Sequence, residues 1–99
     1  MTPAREQRRY TVLKREQVLQ IISSERDYQD SAWPSHEAQG NTEHCLTSVQ
    51  VYLRKAEDAW ITEGYPETKT QQQLAKIAAI IVRLLERGHG TEELLKGLR

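Results

Sequence analysis

The chain predicts an all-α fold: an antiparallel helical bundle of three long helices plus a short C-terminal helix, completed by oligomerisation. Three observations predict it. Apolar residues recur at steps of three and four, with no alternating run long enough to compete as a strand. Capping and stopping residues fall at the ends of these periodic stretches. With 99 residues and no phenylalanine, three substantial helices give a thin core that a second copy would thicken.

The first long helix is expected to start near Thr11 or Val12 and to carry Val18, Leu19, Ile22 and Tyr28 inward, ending before Trp33-Pro34 because the residue before proline avoids the α region. A polar loop from Ser31 to Thr42 leads to an N-cap at Asn41 or Thr42. Leu46, Val49, Leu53, Ala56 and Trp60 draw one stripe along the second helix, with Trp60 assigned to the core and Gly64, Tyr65 and Pro66 ending the element. Thr70 followed by Gln73 reads as a capping box for a third helix with Leu74, Ile77, Ala78, Ile81, Leu84 and Leu85 inward and Gly88 as its stop. Ile80 and Val82 widen that apolar surface, so the helix is expected to face a second copy as well. Thr91 is expected to cap a last short helix that has Glu92 and Glu93 in its first turn and buries Leu94, Leu95 and Leu98.

The length fits one domain, residues 12–99, preceded by a basic N-terminal arm, residues 1–11. Formal net charge is +0, yet Arg5, Arg8, Arg9, Lys14 and Arg15 stand against Glu6 alone at the start, which leaves the rest of the chain acidic. A solvated helical arm explains this without a partner. The arm is short and has little aromatic content, which argues against nucleic acid, and opposite halves could attract one another between subunits. The single cysteine, Cys45, cannot close an internal disulfide, and no apolar run reaches the roughly 18 residues of a membrane span. With no secretory signal visible either, the expectation is a cytoplasmic protein without a membrane partner.

Some chemistries find no support. His36, His44 and Cys45 lack the paired spacing of a zinc site, so no metal ligands are assigned. The serines and Cys45 have no elbow or ordered base, and no glycine-rich phosphate loop exists. Two constellations remain. Lys76 and Arg83, seven apart, share a helix face that Gln73 extends, which reads either as a solvated surface or as a fixed pair of cations for phosphate. Tyr28 and Trp33 could stack on a base while Asp27 or Asp30 accepts from its amino group; the plainer reading of Trp33 is a lid on the core.

The order of elements, with Glu25-Arg26-Asp27-Tyr28-Gln29-Asp30 and Trp33-Pro34 closing the first helix, Trp60 ending the second, and Gln72-Gln73-Leu74-Ala75-Lys76 in the third, resembles the MazG-like all-α nucleoside triphosphate pyrophosphohydrolases over about residues 12 to 90. The likeness is greatest to their small phage-type members and the dCTP pyrophosphatase branch. In that family two helices each supply acidic pairs three apart that hold magnesium. The resemblance puts Gln50 and Leu53 at one pair of ligand positions, Ala56 where a further acid often sits, and Gln73 and Lys76 at the other pair. None of these replaces a carboxylate, and Lys76 would repel the cation. The resemblance therefore implies a non-catalytic nucleotide-binding protein, dimeric or larger, with no cofactor, in the host cytoplasm if phage-encoded, where it could sequester a host defence signal. Tyr28, Trp33, His44, Gln50, Gln73, Lys76 and Arg83 are its candidate nucleotide-binding residues, His44 because phage-type relatives often place a histidine there. The alternative enzyme would use magnesium on a rearranged acidic site of Glu25, Asp30, Glu57 and Asp58. A helical protein-interaction module with no small ligand is the third reading.

Overall fold

The computed structural model describes residues 12–33, 41–64, 68–87 and 90–99. Among them the chain forms four helices, α1 (Arg15–Ala32), α2 (Thr42–Glu63), α3 (Thr68–Glu86) and α4 (Thr91–Leu98), and no strand. The basic arm to Thr11, the proline of Trp33-Pro34, His36, Tyr65, Pro66, Gly88 and His89 lie outside the described residues.

Local chemistry sets the helix ends. The first helix begins at Arg15, later than expected, with Val12 and Leu13 outside it and Lys14 extended. The Lys14 backbone N–H donates to Gln17 Oε1 at 2.8 Å, a glutamine reaching back from the third helical position to the cap residue. At α2 the expected Asn41 cap is present, with Oδ1 accepting the His44 N–H at 2.8 Å. Gly64 ends α2 with φ 89°, a conformation that favours glycine, and its N–H bonds to the Trp60 carbonyl at 2.7 Å. Thr70 is not the N-cap of α3, which starts at Thr68. It lies inside the helix, buried, and its hydroxyl donates to the Gly64 carbonyl at 3.4 Å, tying the α2 end to the α3 start. At α4 the capping position belongs to Gly90, and Thr91 is the first helical residue.

The central element is α3, which packs against both α2 and α1, more extensively against α2. Trp60 shares a hollow with Thr70, whereas Cys45 and Ser48 share one with Ile80 and Arg83, so α2 and α3 run antiparallel. Along α1, Ile21 faces Gln72 and Trp33 faces Arg83, which makes α1 parallel to α3 and gives an up, down, up order. The radius of gyration is 16.1 Å, against about 13 Å for a compact domain of this length. The helices are layered with α3 in the middle rather than closed into a ball.

Small side chains let the helices meet. The buried apolar set is Cys45 and Ala56 on α2 with Ile77, Ala79 and Ile80 on α3. Ile80, 2 % exposed, alone contributes about 1.5–3 kcal/mol of hydrophobic burial. It therefore faces the interior of its own chain rather than a second copy. The α2 stripe is rotated by one residue from the expected one: Cys45, Tyr52, Ala56 and Ala59 turn toward α3, while Leu46, Leu53 and Trp60 stay exposed. Val49 and Ala56 keep their expected places. On α3, Ile77 is buried, Ala78 and Leu84 are half-buried, and Leu74, Ile81 and Leu85 are exposed. Val18, Leu19 and Tyr28 of α1 are exposed instead of inward, and so are Leu94, Leu95 and Leu98 of α4. Ile22 is half-buried.

The inward position of α1 belongs to a polar residue. Gln29 is 1 % exposed. Its Oε1 accepts from Arg83 Nη2 at 3.1 Å, and its Nε2 donates to the Lys76 carbonyl and to Glu25 Oε2, each at 3.3 Å. A second tie lies at the surface, where Arg26 bonds Asp30 within α1 and Glu86 of α3 at 2.8 Å. Burial works to lower the Arg26 pKa, but the hydrogen bonds and the attraction of the two carboxylates outweigh it and leave the pKa raised. The contribution of that cation is thus present below the arginine range and lost only as pH rises through it.

Replacing Gln29 with leucine keeps the volume but leaves a buried guanidinium N–H without its acceptor, so urea unfolding should show a loss of about 1–3 kcal/mol. Arg26→Leu, at half-exposed carboxylates, should cost less than about 1 kcal/mol.

Candidate functional site

A cavity of about 240 Å³ opens where the three long helices converge. Trp33, the residue that closes α1, forms one wall; His44, Cys45, Ser48 and Tyr52 from the first half of α2 form another; Ile80 and Arg83 of α3 form the floor. Helical spacing explains the α2 set, since residues three and four apart share a face. The Asn41 cap orients the first turn that carries His44. Trp33 is held by its backbone N–H, which bonds to the Gln29 carbonyl at 2.8 Å.

Arg83 is the electrostatic centre. It is 3 % exposed, its guanidinium carbon lies 5.6 Å from the Trp33 ring centroid, and Gln29 accepts one of its N–H groups. A guanidinium against an indole face gains from the ring quadrupole and is fixed in plane. None of the described residues that line the cavity is a carboxylate. A buried guanidinium on the cavity floor offers N–H donors to a ligand rich in acceptors, and the Trp33 face, Ser48 and His44 add stacking and hydrogen-bonding capacity.

Three of the seven residues read from the sequence as nucleotide-binding, Trp33, His44 and Arg83, thus meet in one cavity. Tyr28 does not join them. It is exposed and lines a broader trough between α1 and α3 together with Glu25 and Lys76. Lys76 is half-buried and places its ammonium 5.6 Å from the Tyr52 ring centroid, next to the cavity. Gln50 lies on another part of α2, in a hollow with Arg54, Lys55 and Asp58. Gln73 is half-buried in α3, and its Oε1 is enclosed without a hydrogen-bond partner among the described residues.

The acids of the alternative site are dispersed. Asp30 pairs with Arg26, Glu25 accepts from Gln29, Glu57 lies in the groove with Leu53, Trp60 and Leu74, and Asp58 lies in the hollow with Gln50. No group of three or more histidine, cysteine, aspartate or glutamate side chains comes together to hold a metal among the described residues. No helix among them is long and apolar enough to cross a membrane.

Gln29, Ser48 and Tyr52 escape the sequence reading. Gln29 stands in register with Ile22 and Trp33 on the same α1 face, and that register is the signal for it. Ser48 and Tyr52 become legible only once the α2 stripe is rotated by one residue. Comparison of the chain with protein-family models, with curated proteins and with solved structures gives no match.

Of the two tryptophans, only Trp33 lines the cavity. In a Trp60→Phe variant, a ligand that enters the cavity should still change the remaining indole fluorescence, whereas in Trp33→Phe the signal should vanish.

Proposed function

We propose that the chain is a non-catalytic nucleotide-binding protein of MazG-like type, which captures a phosphorylated nucleoside in the Trp33–Arg83 cavity and releases it unchanged. The supporting observation is the cavity itself: an aromatic face, a buried guanidinium and two hydrogen-bonding side chains from three helices, with no acidic wall among the described residues. A base or sugar edge rich in acceptors meets Arg83, and Trp33 supplies the stacking surface. Hydrolysis of a phosphoanhydride by the family's route would need magnesium on clustered carboxylates, and Glu25, Asp30, Glu57 and Asp58 lie apart. The MazG-like resemblance and the phage-type setting, in which the bound species would be a host signalling nucleotide, belong to this reading and rest on the sequence pattern alone.

A second copy of the chain is the other partner in this proposal. Leu46, Leu53 and Trp60 stand at heptad spacing and are 52 %, 45 % and 56 % exposed. Leu74 and Ile81 repeat that spacing on the antiparallel neighbour, and Leu53, Trp60 and Leu74 share one shallow groove. Two apolar ridges at a 3.5-residue period form half of a four-helix seam.

Two measurements test the reading. Purified protein mixed with a panel of ribonucleotides and magnesium should gain melting temperature with at least one of them, and mass spectrometry should recover that nucleotide intact, while Arg83→Met should weaken binding about tenfold or more. An unchanged melting temperature across the panel, or pyrophosphate release that depends on magnesium, would overturn the proposal. For the oligomer, light scattering should give at least twice the 11.5 kDa chain mass, falling to one chain in the double variant Leu53→Glu, Leu74→Glu.

A further inference from the structure

We propose that Lys55 and Lys76, the two ammonium groups held against the Tyr52 ring at the edge of the Trp33–Arg83 cavity, form a phosphate subsite for the nucleotide bound there. This inference rests on the nucleotide-binding reading and adds to it the place where the phosphate is recognised.

Tyr52 is the hinge of the geometry. It lines the cavity from α2, and two cations approach its ring: Lys55 Nζ at 5.1 Å from the centroid and Lys76 Nζ at 5.6 Å. Lys55 follows Tyr52 by three residues and so lies on the same flank of α2, while Lys76 arrives from α3. Both distances fall inside the range in which an ammonium feels the negative ring face. An anion at the edge of that ring would be attracted by both charges.

Several other basic residues on these helices are already engaged. Arg26 bonds Asp30 and Glu86, Lys69 bonds Glu63, Lys96 approaches Glu92, and Arg83 bonds Gln29 and stacks on Trp33. Lys55 and Lys76 make no ion pair with a carboxylate among the described residues. The acid that lines the trough bordered by Lys76, Glu25, accepts from the Gln29 amide, and Asp58, in the hollow that Lys55 lines, makes no ion pair with it. Arg83, buried and fixed in plane, suits the planar acceptor edge of a base. Lys55 and Lys76, compact charges on flexible stems, suit a phosphate whose oxygens have no single required direction. The ligand class is a nucleoside 5′-phosphate lying across Tyr52, base inward and phosphate at the two lysines.

The test is calorimetric titration of the wild type, Lys55→Gln, Lys76→Gln and the double variant. The ligands are the four common ribonucleoside 5′-monophosphates and their parent nucleosides, each at low and high salt. Each single variant should weaken monophosphate binding about tenfold while nucleoside binding stays the same, and the double variant should bind the two alike with little dependence on salt. If the wild type binds a monophosphate and the lysine variants bind it equally well, the subsite is refuted while the nucleotide reading stands. Equal losses for nucleoside and monophosphate would also refute it, by showing that the lysines serve only the fold. A wild type that binds neither ligand class overturns both.

Discussion

The contact between Gln29 and Arg83 is the constraint around which the molecule is arranged. A guanidinium with 3 % exposure would be a severe burden in a core this thin, because desolvating a cation costs several kcal/mol unless its donors are met. Gln29 supplies a neutral acceptor from α1 and spends its amide on the Lys76 carbonyl and the Glu25 carboxylate. One side chain therefore fixes the height at which α1 lies on α3. It also sets Trp33, one turn further along, over the same guanidinium. Gln29 meets one N–H of Arg83 without adding a charge of its own.

Much of the fold was legible in the sequence, and what escaped has a common cause. Helix number and chain order followed from the three-and-four spacing, and the Asn41 cap from side-chain chemistry. The side turned inward on α2 did not follow. Leu46, Leu53 and Trp60 are the more apolar stripe, and a pattern reading gives the core to the most apolar residues. The chain instead turns Cys45, Tyr52, Ala56 and Ala59 toward α3, because small residues let two helix backbones approach closely enough to enclose Ile77, Ala79 and Ile80. Close approach and hydrophobicity are different demands, and periodicity reports only the second. Thr70 misleads for a related reason: its hydroxyl serves the preceding turn at Gly64 rather than its own helix start.

The candidate site was legible in its chemistry and not in its grouping. Trp33 and Arg83 stood out as an aromatic and a fixed cation, and His44 through the family resemblance, and they converge. Tyr28 stood out as an aromatic and Gln50 through its register in the resemblance, and both lie elsewhere. Nothing in residue type separates these outcomes. What separates them is the rotation of α1 about its axis, set by Gln29, and of α2, set by its alanines. The acids Glu25, Asp30, Glu57 and Asp58 are scattered by the same two rotations, so one feature of packing both assembles the cavity and disperses the carboxylates.

Because α1 is anchored chiefly to α3, the cavity has a wall that can detach without unravelling the α2–α3 pair. Such sub-global openings occur at less than the free energy of complete unfolding. Each time α1 lifts, Trp33 and Gln29 leave together, and Arg83 loses its stacking face and the Gln29 acceptor at once. The lifetime of anything captured there is therefore capped by the frequency with which one helix peels away, and a slower exchange would require a firmer seam between α1 and its neighbour rather than a better-shaped pocket.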